Sequence, residues 1–164
     1  MKKLLIIAAL VLVAGTGAYA FLKPNTAPDV SLTTLDGRTV TTQSLRGKVV
    51  LVNFWATTCT TCMAEMPKVV DTFRQFNAKG FETVAVAMDY DNPAWIRDYV
   101  QRTKLPFTVA QDSSGAVARA FGDIRLTPTT FLIDKRGRIV QQYLGEPDFP
   151  KLHALLDRLL AEPA

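Results

Sequence analysis

Two cysteines, Cys59 and Cys62, and a single histidine, His153, supply all the thiol and imidazole chemistry of this 164-residue chain. Both cysteines fall in one run, Trp55-Ala56-Thr57-Thr58-Cys59-Thr60-Thr61-Cys62. Two intervening residues allow a disulfide across one helical turn. Three chemistries use such a pair: reversible thiol–disulfide exchange, capture of a soft metal ion, and a structural staple. Chain-entropy accounting gives a four-residue loop only about 2 kcal/mol, against about 4.7 kcal/mol for a 100-residue loop, so a staple would be better placed elsewhere. Copper- or zinc-carrying modules also place Cys-x-x-Cys after a strand, but they are much shorter, and no Met or His cluster flanks this pair. Two Cys and one His would moreover need a carboxylate to close a four-ligand zinc site. Exchange is the reading favoured by context, with a copper or zinc carrier as its competitor.

Exchange requires two unequal sulfurs, and the surrounding elements predict that inequality. Val49 to Trp55 is a continuous apolar run interrupted only by Asn53, the mark of a central strand buried on both faces. From Cys62 onward, Met66, Val69, Val70, Phe73 and Phe76 form a helical stripe ending near Gly80. Cys59 then sits at the exposed helix start, where unpaired N–H groups and the helix dipole favour the reactive thiolate. Cys62 lies one turn inside, in line with Met66, Val69 and Phe73, facing the core. Cys59 is therefore assigned as the attacking nucleophile and Cys62 as the resolving thiol.

The remaining pattern reads as follows. Val30 to Leu35 and Arg38 to Thr42 form a hairpin around Asp36-Gly37. Thr83 to Met88 is a second buried strand, and Asp91-Asn92-Pro93 opens a helix running to about Arg102. Gly115 to Phe121 is a short helical piece. Thr129 to Ile133 and Arg138 to Tyr143 make a hairpin around residues 134–137, and Phe149 to Leu160 closes the chain as an amphipathic helix. This order gives an α/β domain over residues 30–162, with a mixed central sheet flanked by helices on both faces. His153, among apolar neighbours, and Met63, Met66 and Met88 read as packing residues.

At the N-terminus, Met1-Lys2-Lys3 precedes an uncharged run from Leu4 to Leu22. A basic tip, an apolar stretch and the small-x-small Ala18-Tyr19-Ala20 fit a secretion signal. The run is also long enough to cross a bilayer as an uncleaved anchor. Residues 1–22 are thus a signal peptide or membrane anchor and residues 23–29 a Pro-rich linker. Either way, the domain is expected in the periplasm or on the outer face of the cytoplasmic membrane. The composition excludes much else. With 48% hydrophobic residues the chain is not disordered, and 19 basic against 15 acidic residues is too small an excess to argue for nucleic acid. Removing residues 1–20 takes two lysines and no acid, lowering the net charge from +4 to +2.

The segments Val-Val-Leu-Val-Asn-Phe-Trp-Ala-Thr-Thr-Cys-Thr-Thr-Cys-Met-Ala-Glu-Met-Pro (49–67) and Thr-Pro-Thr-Thr-Phe-Leu-Ile-Asp (127–134) resemble the TlpA/ResA family of exported thiol-disulfide oxidoreductases. The similarity spans about residues 27 to 160. It implies a thioredoxin-like fold with an added N-terminal β-hairpin, no cofactor, and a dithiol cycle at Cys59 and Cys62. Pro128 matches the proline such proteins hold in cis beside the disulfide. Thr127 before it would pair through its backbone with an extended substrate strand. Pro67 matches a helix-kinking proline. Asn53 stands where thioredoxin has a buried acid that moves a proton for the second cysteine. Glu65, three residues past Cys62 and at a position where the family has glutamate, is expected to deprotonate Cys62 instead.

Thr58 replaces a Trp carried by many relatives, so the partner-facing surface differs there; Phe54 and Trp55 read as packing residues, with Trp55 also expected to border the substrate site. The resemblance also implies cysteine-containing client proteins, with reduction of their disulfides in cytochrome c maturation or other metal-site assembly. Electrons would come from a membrane-embedded thiol reductant. A peroxiredoxin-like peroxidase is a weaker alternative, because that family wants Thr three residues before its reactive Cys and Ala56 stands there.

Overall fold

A computed structural model of the chain describes residues 25–163. The signal or anchor expected over residues 1–22, and the first two residues of the expected linker, lie outside the described residues. Within them, strands β1 (Ser31–Thr33) and β2 (Thr39–Thr41) form an antiparallel hairpin. Strand β3 (Val49–Trp55) leads into helix α1 (Thr60–Phe76), followed by β4 (Phe81–Ala87), α2 (Pro93–Thr103), β5 (Thr108–Gln111) and α3 (Ala116–Ala120). Strands β6 (Thr129–Ile133) and β7 (Ile139–Leu144) precede the closing helix α4 (Phe149–Ala161).

The main sheet has the order β5-β4-β3-β6-β7. Strands β3, β4 and β5 run parallel, while β6 is antiparallel to β3 and β7 to β6. All seven residues of β3 are buried, as a central strand with both faces covered requires. Alternation along β3 divides the core. Val49, Leu51 and Trp55 face a layer with Met66, Val69, Phe76, Ile96, Leu152 and Leu156 from α1, α2 and α4. Val50, Val52 and Phe54 face Val117, Phe121 and Phe131, with Leu32 of the hairpin. The thioredoxin-like architecture with its added hairpin is therefore present, and helices cover both sheet faces.

The structure departs from the sequence pattern at three places. Strand β5 has no counterpart in the sequence pattern, which assigns no element between about Arg102 and Gly115; pairing of Ala85 with Val109 and of Val86 with Ala110 makes it a parallel edge strand. The hairpin strands are three residues each, shorter than expected. The Asp36 carboxylate accepts from the Thr34 hydroxyl and from Arg38 Nε (2.8 Å), drawing Thr34 and Leu35 into the turn. The hairpin then docks on β5, with Leu35 N donating to Val109 O at 3.0 Å. Part of the expected linker also lies against the domain: Ala27 is buried, its N–H donates to Gly137 O (2.9 Å), and Asn25 O accepts from Ile139 N (2.6 Å).

Helix ends follow local chemistry. The Asn92 side chain caps α2 by accepting from Ala94 N (2.8 Å), with Pro93 in the first turn. The Asp148 carboxylate caps α4 by accepting from Lys151 N at 3.2 Å. His153 has the structural place expected of it, between the Thr72 hydroxyl (2.8 Å from Nε2) and the rings of Phe76 and Phe149. Leu156 is fully buried under the sheet. Leu156→Ala should lower unfolding free energy by about 2–5 kcal/mol in a urea titration, while the rate of Cys59 alkylation stays near that of the parent.

Candidate active site

The site is built where β3 stops and α1 starts. Trp55 ends the strand, Cys59 N donates to Ala56 O (3.1 Å) to close a turn, and Cys59 becomes the N-cap residue of α1 with φ −89° and ψ 105°. The Cys59 sulfur accepts from Cys62 N at 3.1 Å. An N–H that has no partner within the helix thus points at the first sulfur, which favours its anionic form. The two cysteines are joined as a disulfide with Cα atoms 5.2 Å apart, so the molecule is in its oxidised state. Their exposures differ as the helical stripe requires: Cys59 is half-buried, and Cys62 is 0% exposed.

Behind Cys62 lies a buried polar cluster. Glu65, one turn further along α1, is 0% exposed. Its Oε1 accepts from Asn53 Nδ2 at 2.8 Å, and the same nitrogen donates to Thr130 Oγ1, also at 2.8 Å. Both amide hydrogens of Asn53 are therefore used, and its orientation is fixed from two sides. Glu65 Oε2 and Asn53 Oδ1 have no hydrogen-bond partner among the described residues. Burial raises the Glu65 pKa to about 7; the Asn53 donor opposes the rise, the Glu146 charge adds to it, and Lys68 opposes it. A carboxyl group that titrates near neutrality can take up or release a proton at working pH.

A second loop meets the disulfide from β6. The Thr127–Pro128 peptide bond is cis. Thr127 O lies 3.4 Å from Cys59 Sγ, and Gly145 N of the β6–β7 hairpin donates to Pro128 O at 2.8 Å. Thr127 is half-buried, and its hydroxyl lies 3.3 Å from the hydroxyl of the exposed Tyr90. Thr58 is exposed and lines a cleft of about 380 Å³ with Met63, Trp95, Asp98, Tyr99 and Arg102.

The structure thus brings Cys59, Cys62, Glu65, Thr127, Pro128 and Thr58 together around one disulfide. Trp55 needs correction. It is 0% exposed and packs against Tyr99 at 5.5 Å between ring centroids, so it supports the turn from beneath and offers no surface to a substrate. Its position in a strand covered on both faces decides this.

Two partners escaped the sequence reading. Thr130 completes the Asn53 cluster across 77 positions of chain. Asp91, read only as part of a helix opening, accepts from Thr57 N and Thr57 Oγ1, each at 2.6 Å, across 34 positions. The one local signal was Asn53 itself, a polar residue inside an apolar strand. Among the described residues no group of three or more His, Cys, Asp or Glu side chains gathers to hold a metal ion.

Comparison with known proteins agrees with this geometry. The Redoxin family model matches residues 23–156. The thiol-disulfide oxidoreductase ResA of Bacillus thuringiensis subsp. konkukian is 35% identical over 133 residues, which are 81% of this chain and 76% of that protein. ResA of Bacillus subtilis is 29% identical over 137 residues, covering 84% and 75% of the two chains. Among solved structures, a proposed thioredoxin from Neisseria meningitidis superposes with TM-score 0.77 at 44% identity, covering 84% of this chain and 91% of that one. A proposed thiol:disulfide interchange protein DsbE from Chlorobium tepidum does so with TM-score 0.77 at 31% identity, covering 85% and 98%. The cysteine pair at a helix N-terminus, the adjoining cis proline and these similarities lead to one assignment: the chain belongs to the redoxin family and, within the thioredoxin superfamily, to the ResA/TlpA-like thiol-disulfide oxidoreductases.

Proposed function

We propose that this chain is an exported reductase of client-protein disulfides, with Cys59 attacking, Cys62 resolving and Glu65 accepting the Cys62 proton. The observation that carries the dithiol mechanism is the burial of Glu65 one helical turn from buried Cys62. An enzyme that reduces its client must resolve the mixed disulfide with its own second cysteine, and a buried thiol needs a nearby base to become a nucleophile. In the oxidising direction the same carboxyl group would return the proton to Cys62 as it leaves, so Glu65 serves the step both ways, and the reducing direction rests on the resemblance to the ResA/TlpA-like oxidoreductases.

The cycle balances as follows. The Cys59 thiolate attacks one sulfur of a client disulfide, and the other client sulfur leaves as a thiolate that takes a proton from solvent. Cys62 transfers its proton to the Glu65 carboxylate and attacks Cys59 Sγ. The second client sulfur leaves, and the Cys59–Cys62 disulfide forms, which is the state described above. Two electrons have passed to the client, and a thiol donor must return them. In an oxidising compartment that donor is a membrane-embedded thiol relay.

The client's extended segment would pair with the backbone of Thr127 beside Pro128, while Thr58 contacts its flank. Export rests on the basic tip and uncharged run of residues 1–22. It places the domain in the periplasm or on the outer face of the cytoplasmic membrane, cleaved from residues 1–22 or anchored by residues 4–22. Residues 23–29 connect this segment to the domain at 30–162. Clients with paired cysteines awaiting metal or haem, as in cytochrome c maturation, fit a reductase so placed.

Cys62→Ser should trap clients on Cys59 as mixed disulfides that mass spectrometry identifies, and Cys59→Ser should trap none; trapping by the second variant alone reverses the two roles. In the parent, release of the mixed disulfide should accelerate as pH rises through about 7, where Glu65 ionises. Glu65→Gln should slow that step roughly 10-fold or more and remove the Glu65 inflection, and identical pH–rate profiles would remove Glu65 from the mechanism.

Stability provides a second readout of the same group. Its folded pKa of about 7 lies above the ordinary glutamate value of 4.5, so the folded state holds the proton more tightly than the unfolded chain. The associated stability is complete below about pH 4.5 and is lost as pH rises to about 7, by ~3 kcal/mol, a loss that Glu65→Gln should abolish in denaturant titrations.

A further inference from the structure

We propose that Asp91 is a positioning residue for the attacking sulfur: its carboxylate clamps Thr57 and so holds the turn that makes Cys59 the cap of α1. This rests on Cys59 being the attacking thiol. Asp91 is 3% exposed. Its Oδ2 accepts from Thr57 N (2.6 Å), and its Oδ1 accepts from the Thr57 hydroxyl (2.6 Å) and from Asn92 N (2.9 Å). Capping of α2 does not need this carboxylate, because the Asn92 side chain already takes Ala94 N. Two of the three bonds are instead directed across the molecule, at one residue of the redox loop.

Thr57 lies inside the turn closed by Cys59 N and Ala56 O. Its N–H belongs to neither β3 nor α1, so an acceptor must come from elsewhere in the fold. A carboxylate that takes both the N–H and the hydroxyl fixes the residue in position and in rotation, more firmly than a single neutral acceptor. Two contacts of Cys59 depend on that placement: the 3.1 Å bond from Cys62 N to its sulfur, and the 3.4 Å approach of that sulfur to Thr127 O. A loosened turn would carry the sulfur away from the helix N–H that favours its thiolate.

Asp91 also carries a negative charge near a sulfur that must become an anion, and the two effects have opposite signs. Placement by Asp91 favours the Cys59 thiolate, whereas its charge alone disfavours it. Asp91→Asn separates them, since the amide retains an acceptor for Thr57 N and loses the charge.

The test uses the reduced full chain, reading the pH dependence of Cys59 alkylation by iodoacetamide and the rate of exchange with a disulfide-bonded peptide. Asp91→Ala should move the alkylation midpoint upward by about half a pH unit or more and slow exchange roughly 10-fold. Asp91→Asn should stay within about threefold of the parent in exchange, with a midpoint no more than slightly changed. Thr57→Val, which removes the hydroxyl contact from the other side, should fall between parent and Asp91→Ala, and it carries the test if Asp91→Ala does not fold. The inference is overturned if Asp91→Ala, or failing that Thr57→Val, matches the parent within twofold in both readouts. It is also overturned if Asp91→Ala, which loses both placement and charge, lowers the midpoint and speeds exchange, which would make the charge and not the placement decisive. Alkylation reports on Cys59 whichever way electrons flow. A chain that proves unable to reduce clients yet shows the Asp91 effect would lose the proposed direction and keep this inference.

Discussion

Between the last residue of β3, Trp55, and the first of α1, Thr60, only four residues are available to turn a buried strand into a helix. The chemistry of the protein depends on how that turn is held. Apart from Cys59 O, which accepts the first helical bond from Met63 N at 3.1 Å, its polar groups find partners from distant parts of the chain or from the turn itself. Ala56 O takes Cys59 N, Asp91 takes Thr57, and Met88 N holds Trp55 O at 3.0 Å. The N-terminal end of α1 then presents an N–H to the Cys59 sulfur, and the loop bearing cis Pro128 also reaches that sulfur through Thr127 O.

The second constraint is the acid placed in the core behind the disulfide. A carboxyl group at 0% exposure loses its hydration, and the protein supplies one amide donor in return. An apolar residue at position 65 would be easier to bury. What the acid provides is a proton site near neutrality on the same helix as the buried thiol, which an apolar residue cannot offer. Asn53 is the counterpart of this choice. It interrupts an otherwise apolar strand because its amide must reach Glu65 on α1 and Thr130 on β6 at once. With Glu65 in its proposed role, activity and stability oppose each other at this cluster, and the fold tolerates it because two apolar layers stabilise the remainder of the sheet.

Much of this was legible in the chain. The apolar run at 49–55, the helical stripe from Cys62 and the capped start of α2 at Asn92 each carry their own local reason, and each element formed where those reasons place it. Strand β5 was not legible, since four residues beside a proline have no periodicity and become a strand only when β4 offers an edge. The hairpin was legible in kind and not in length, because Asp36 recruits Thr34 into the turn. Trp55 has the packing role its apolar strand predicts, and only the substrate contact also expected of it is absent. In a strand covered on both faces, no residue is left to meet a partner.

The sequence by itself determined the chemistry: two cysteines at helical spacing, one at a helix start and one in line with the apolar stripe, with an acid one turn further on. Those features are local, and periodicity and capping express them within a few residues. Only the tertiary structure decided which side chains serve that pair. Asp91 reaches Thr57 from 34 positions away, Thr130 reaches Asn53 from 77, and Thr127 comes within 3.4 Å of Cys59 because β6 runs beside β3. Hydrogen bonds of that kind are made between strand ends and loops that become neighbours only when the sheet is assembled, and no periodicity along the chain records them.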